Sequence, residues 1–105
     1  MLKIARNPEF THDVTVRVPV DGGFADQKFK ARFRVVPWAE LDVFERDADE
    51  QTRMVWVGWD GIVDDDNAPV PFSDSMRDTL ISLPFVRMAV LNAYVDAVAG
   101  AKRGN

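Results

Sequence analysis

The sequence has 105 residues, with 13 lysines and arginines against 17 aspartates and glutamates, and a formal net charge of −4. This length predicts one domain with a single core, and the absence of cysteine excludes a disulfide framework and thiolate chemistry. The acidic balance argues against nucleic-acid binding, and the lack of a basic leader with an apolar segment predicts a soluble intracellular protein.

The charges are segregated along the chain. Residues 1–35 hold seven basic and four acidic side chains, residues 36–80 hold three and twelve, and residues 81–105 hold three and one. A basic segment beside an acidic one can steer self-association or the choice of partner. Solubility alone would also account for the pattern.

Residues 1–12 predict an irregular lead-in, and His12, the one histidine, has no second ligand type beside it for a metal site. The stretch Asp13–Val20 then alternates valine with other residues, which predicts a half-buried strand. Pro19 cannot donate to a ladder and therefore indicates an edge or a strand end.

The stretch Gln27–Val36 alternates in the same way, and its apolar positions are Phe29, Ala31, Phe33 and Val35. We expect the two strands to pair as an antiparallel hairpin, with a longer connection over residues 21–26. A hairpin is barely stable alone, so its apolar face is expected to lie on helices.

The outer face of this hairpin is predicted to be strongly basic. Its members are Arg17, Lys28, Lys30, Arg32 and Arg34. Charge can protect an edge strand against aggregation. The alternative is a docking face for an acidic surface, such as the middle segment of a neighbouring copy.

Two helices are predicted after the hairpin. The first covers Trp38–Arg46, where apolar side chains recur every three residues. Asp47 and Glu50 have the spacing of a capping box, and a second helix is expected from Ala48 to about Trp59. Because residues 54–59 are rich in β-branched and aromatic side chains, a strand is the alternative there.

The segment Gly58–Phe72 is predicted to be a hinge that contains an acidic turn. Asp64, Asp65 and Asp66, with Asp60 nearby, lack the glycine and the closing glutamate of a calcium loop. No apolar pocket is evident that would adapt these carboxylates to acid–base catalysis. We therefore expect neither a metal site nor a catalytic site here.

Ser73 is a predicted N-cap for a short helix over residues 74–81. The terminal helix is expected over Pro84–Ala101, with Pro84 at its first position and Gly100, Lys102 and Arg103 near its end. Twelve of the fifteen residues from Phe85 to Ala99 are apolar. Such a helix is central to its domain or buried against another copy, and it is short and charged for a membrane span.

These elements predict an α+β fold in which an N-terminal antiparallel β-hairpin packs on three to four C-terminal helices. The single domain would comprise a lead-in and hairpin over residues 1–36 and a helical part over residues 37–105. No phosphate loop, nucleophile elbow or histidine pair occurs, so the sequence indicates protein–protein contact rather than an enzyme, and no cofactor.

Four segments follow one another along the chain in an order that indicates a family: FKARFRVVP, WAELDVFER, VGWDGIVDDDNAPVPFS and LPFVRMAVLNAYVDAVAGAKRGN. In this the chain resembles the small tail assembly chaperones of long-tailed bacteriophages and prophages. The resemblance implies a protein without enzymatic activity, made in the cytoplasm of the bacterial host and absent from the finished virion. It would coat the tape measure protein until tail tube subunits polymerise around it, and it would self-associate, often as spirals.

A structural minor tail or connector component is the alternative, and the tail tube protein is a further candidate partner. We expect the interface to combine the basic strand face, the acidic turn and apolar side chains. Besides the basic and acidic residues named above, its predicted members are Trp56, Trp59, Phe85, Met88, Leu91, Tyr94, Val95 and Val98.

Overall fold

The computed structural model describes residues 1–100, and within them the predicted α+β fold is confirmed. A three-stranded antiparallel sheet carries helices on the face that buries Val14, Val16 and Phe33. In chain order the elements are β1 (Glu9–Val20), β2 (Gly23–Arg34), α1 (Trp38–Leu41), α2 (Ala48–Val55), β3 (Trp56–Asp60), α3 (Asp74–Ile81) and α4 (Pro84–Ala99).

The hairpin is longer and its turn is tighter than the alternation predicts. Val20 pairs with Gly23, so the connection has two residues, and the predicted longer connection over residues 21–26 was wrong. Gly22 has φ of 79°, a conformation that glycine adopts without steric cost. Because pairing continues to the turn, the ladder extends past the buried part of the sheet, and Val20 is exposed.

The second predicted helix changes into a strand midway. Asp47 caps α2 as predicted, since its side chain accepts the Glu50 N–H at 2.9 Å. However, α2 ends at Val55, and Trp56–Asp60 forms β3, so the expected helix to Trp59 was wrong. The strand is more stable than a continued helix because it forms backbone hydrogen bonds to β2 and buries Trp56 opposite Phe33.

Two arginines satisfy the backbone carbonyls that this change leaves open. The guanidinium of Arg77 donates to the Arg53 carbonyl at 3.3 Å, and that of Arg34 donates to the Met54 carbonyl at 3.3 Å. The last carbonyls of a helix have no partner within it, and positive charge is favourable there. Arg77 therefore ties α3 to the end of α2.

The first predicted helix is much shorter than expected. It ends at Leu41, because Asp42 adopts the left-handed conformation with φ of 48°, and the prediction of a helix to Arg46 was wrong. Leu41 is buried, whereas Phe44 is 94% exposed. The segment after Leu41 continues as a turn in which the Asp42 carbonyl accepts from Glu45 and Arg46.

The last two helices begin as predicted. The Ser73 hydroxyl accepts the Met76 N–H at 3.0 Å, and Pro84 occupies the first turn of α4. Gly100, in the left-handed conformation, donates to the Asp96 carbonyl and ends α4. The predicted extension to Ala101 and the expected roles of Lys102 and Arg103 lie outside the described residues.

Within residues 1–100, no single helix has both the length and the apolarity needed to cross a membrane. The α3–α4 pair reaches those limits together, but its two helices meet at a bend of 106°.

Candidate interaction surface

The helix α4 has two apolar faces, of which only one is used by the core. Val86, Val90 and Tyr94 point inward and are buried. A second side of the helix, here called the outer face of α4, consists of Pro84, Met88, Leu91, Val95 and Val98, of which Leu91 is half-buried. Met88 is 55% exposed, Val95 40% and Val98 43%, so this apolar strip meets solvent.

The spacing along the outer face of α4 is regular. Its members follow one another at intervals of four, three, four and three residues. This is the repeat by which one helix presents apolar side chains to a second helix in a coiled coil. At 1.5 Å per residue the strip is about 21 Å long, which is four turns of contact.

A groove of about 620 Å³ runs beside the outer face, between α4 and β1. Its apolar wall includes Phe85, Met88 and Ala93 of α4, and Phe24 from the hairpin tip also lines it. Asp13 and Asp96 place carboxylates along it, and Arg17 places a guanidinium there. We call it the β1–α4 groove; it offers an apolar wall next to a strand edge.

The basic strand face is largely balanced by carboxylates of the same hairpin. The β1–β2 register places an acidic residue opposite most of the basic ones. The resulting ion pairs are Lys30–Asp13 at 3.0 Å, Arg32–Glu9 at 3.2 Å and Arg17–Asp26 at 3.9 Å. A purely electrostatic contact through this face is therefore weaker than the sequence pattern predicts.

The remaining two basic residues differ from each other. Arg34 donates to the end of α2, whereas Lys28 forms no ion pair with any residue in the described range 1–100. The hydrogen bond from Lys30, and then its charge, lowers the pKa of Asp13 below the usual aspartate value. That direction fits a carboxylate held in its ionised form.

Two of the predicted interface residues lie inside the core. Trp56 and Tyr94 are essentially inaccessible, so neither provides surface for a partner, and their assignment to an interface was wrong. The Trp56 indole N–H has no hydrogen-bond partner among the described residues. Trp59 is half-buried, and its indole N–H donates to the Val70 carbonyl at 2.7 Å.

The acidic segment forms a closed loop rather than the predicted hinge. Val63 bridges Pro69, and the Asp64 side chain accepts the N–H groups of Asp66 and Ala68. Asp64, Asp65 and Asp66 are exposed, as expected for a solvated turn. In the described part of the chain, no three His, Cys, Asp or Glu side chains are grouped to hold a metal.

Several exposed apolar side chains were missed by the sequence interpretation. Leu2 and Ile4 are 84% and 86% exposed, and Phe24 at the hairpin tip lies under the Arg17 guanidinium at 4.6 Å. The four–three repeat on α4 was also overlooked, although it is visible in the numbering. It was hidden because nearly every position of that helix is apolar.

Comparison of the chain with protein-family models, curated proteins and solved structures finds no match.

Proposed function

We propose that this protein is a tail assembly chaperone of a long-tailed bacteriophage or prophage. In this proposal it acts in the cytoplasm of the bacterial host, binds the tape measure protein and keeps it soluble until the tail tube polymerises. It also self-associates, needs no cofactor and catalyses no reaction. The observation that carries the proposal is the solvent-facing outer face of α4.

The outer face of α4 fits a helical partner of matching repeat. A long tape measure helix with apolar side chains at three- and four-residue spacing would pack its ridge against Met88, Leu91 and Val95. Covering this face removes apolar surface from water on both molecules, at about 25 cal/mol per Å². The partner would gain solubility because the chaperone surface around the contact is charged.

The short length of the face supports a coat of several copies. Stable complexes bury roughly 800 Å² on each partner, more than one strip about 21 Å long provides. Each contact would thus be weak alone, whereas copies that also touch one another would bind a long helix with avidity. Weak individual contacts suit a coat that the tube protein must displace.

Co-expression with the tape measure protein of the phage or prophage that carries this gene tests the proposal. The wild-type chain should keep that partner in the soluble fraction and co-purify with it. Replacing Val95→Lys and Val98→Lys together should cut the co-purified partner at least about tenfold, because two lysines would be pressed into an apolar contact.

The matched control replaces two exposed apolar residues outside the face, Val63→Lys and Phe44→Lys, and should retain the partner. Both double variants should keep the wild-type circular dichroism spectrum. Retention of the partner by the Val95/Val98 variant, or no association by the wild type, contradicts the proposal. Mass spectrometry of purified particles separates the alternative, since a structural tail or connector component would persist in virions.

A further inference from the structure

The edge of β1 that faces away from β2 has unpaired backbone groups. The Pro8 carbonyl accepts the Val35 N–H at 2.9 Å, so Pro8 and Val35 are a hydrogen-bonded pair, and every second residue of β1 after Pro8 is hydrogen-bonded to β2 as well. Even-numbered residues of β1 therefore bond to β2, and odd-numbered residues direct their N–H and C=O groups to the other edge. Among residues 1–100, no backbone hydrogen bond is made to the odd-numbered groups of Thr11, Asp13 or Thr15.

Pro19 limits how far this edge is open. It is also odd-numbered, so its missing N–H faces the free edge and costs the hairpin nothing. A pairing strand could therefore use residues 9–17 but not the end near the turn. Natural proteins usually cover or interrupt such edges. In this chain Pro19 interrupts only the end of β1 near the hairpin turn, and the rest of the edge stays open to pairing.

The β1–α4 groove lies along this edge. An extended segment seated on the edge would turn one set of alternate side chains towards Met88, Ala89 and Ala93 of α4. The other set would continue the outer face of the sheet beside Asp13. The groove therefore selects a strand with apolar residues at every second position, whose other side chains lie on the outer, solvent-facing side.

Residues 2–6, here called the arm, have this composition. Leu2 and Ile4 alternate with Lys3 and Ala5, and Arg6 follows. Leu2 and Ile4 are almost fully exposed, so the arm does not occupy the edge of its own subunit. The exposed, alternating apolar side chains of the arm match the apolar wall of the groove. Charge contributes less to this match, because Arg17 lines the groove together with Asp13 and Asp96, and Asp13 is already paired with Lys30.

We propose that the arm of one copy adds as a fourth strand to the free edge of β1 in a second copy. Leu2 and Ile4 enter the β1–α4 groove, and Lys3 lies on the side of Asp13. The contact is heterologous, because the donor segment and the acceptor edge are different surfaces, and it leaves one of each free for the next copy. This inference rests on the self-association part of the proposed function and names the segment that joins the copies.

Sedimentation velocity over a range of protein concentrations tests the arm. The wild-type chain should form head-to-tail oligomers, and Leu2→Asp with Ile4→Asp should raise the dissociation constant for self-association at least about tenfold. Phe44→Asp changes an equally exposed apolar residue elsewhere and should assemble as the wild type does. A double variant that assembles like the wild type, or a wild type that stays monomeric at high micromolar concentration, overturns the inference.

A mixing experiment tests donor and acceptor separately. Thr15→Pro should block the acceptor edge without loss of a β1–β2 bond, since the Thr15 N–H faces away from β2. Alone, this variant and the Leu2/Ile4 variant should each be monomeric. Mixed, they should form a one-to-one heterodimer and nothing larger, because one intact arm and one intact edge are present. Absence of the heterodimer overturns the inference.

Hydrogen exchange locates the contact. The amides of Asp13 and Thr15 should become protected as the wild-type concentration rises, whereas those of Val14 and Val16 should be protected throughout. Assembly that leaves Asp13 and Thr15 unprotected, or that is lost only with Val95→Lys and Val98→Lys, which lie on the outer face of α4 and outside the groove, overturns the arm contact and leaves the proposed chaperone function standing. Protection in a monomer would mean that the arm folds on its own edge, which also overturns the inference.

Discussion

Tyr94 joins the last helix to the sheet through both its ring and its hydroxyl. Its ring lies 5.5 Å from that of Phe33 and 6.4 Å from that of Phe10, measured between centroids. Its hydroxyl accepts the backbone N–H of Val36 at 3.1 Å in a buried setting. One side chain thus satisfies the backbone at the end of β2 and fixes the position of α4.

Tyr94→Phe is expected to lower the free energy of unfolding by about 1–3 kcal/mol, because the Val36 N–H would stay buried without a partner. Denaturant unfolding followed by circular dichroism measures the change. Tyr94→Leu, which also removes the ring contacts, should cost clearly more. Equal stability of the phenylalanine variant and the wild type would show that the hydroxyl bond contributes nothing net.

Asp13 provides a test of the paired strand face. Its pKa is lowered chiefly by the hydrogen bond from Lys30, so the folded state favours the charged carboxylate. The associated stability is present above the usual aspartate pKa and is lost as the pH falls through the lowered value. Because the group is exposed, the contribution is small.

Lys30→Gln should return the pKa of Asp13 towards its usual value, as followed by carboxyl NMR titration. Lys28→Gln is the matched control and should change it much less, since Lys28 acts only through its more distant charge. If the Asp13 pKa is the same in the wild type and in Lys30→Gln, the ion pair at 3.0 Å does not persist in solution.

At the scale of elements, contacts at the helix ends and at the junction between α2 and β3 stabilise the fold. The helices α2 and α3 each begin at a side chain that accepts a backbone N–H, whereas α4 has no such cap and begins with Pro84. The change from α2 to β3 leaves carbonyls that Arg34 and Arg77 cover. These junctions tie β2 to α2 and α2 to α3.

Ser73→Ala should lower the free energy of unfolding by about 1 kcal/mol, because the Met76 N–H loses its acceptor at the start of α3. Ser75→Ala makes the same chemical change inside the same helix, where alanine is favoured, and should be neutral or slightly stabilising. Thermal and denaturant unfolding compare the two. An equal effect of both changes would mean that the cap is not a specific contribution.

At the scale of the whole molecule, two neighbouring surfaces, which share Met88 at their border, divide the proposed tasks. The outer face of α4 would bind a partner helix, and the free edge of β1 with the arm would join copies of the chain. Both surfaces flank the β1–α4 groove, so an assembled row of subunits would present its outer faces at regular intervals. That arrangement explains how weak contacts of about 21 Å each could hold a long partner.

Local features of the sequence were sufficient for much of the fold. Period-two alternation located both hairpin strands, and the chemistry of Asp47, Ser73 and Pro84 located three helix starts. Each of these signals acts through neighbours within a few residues, so no tertiary information was needed. The connection between these strands was also located, but the sequence did not show that it has only two residues.

Tertiary contacts decided the remainder. Residues 54–59 suit a helix or a strand, and pairing with β2 selected the strand. The basic face was visible in the sequence, but the carboxylates opposite it depend on the register of β1 against β2. Likewise, composition showed that α4 is apolar all round, yet only packing determined which side met the core and which side stayed in water. The alternation of apolar residues and the capping of helices depend on neighbours in the sequence. Strand pairing and side-chain burial, in contrast, depend on residues that are far apart in the chain.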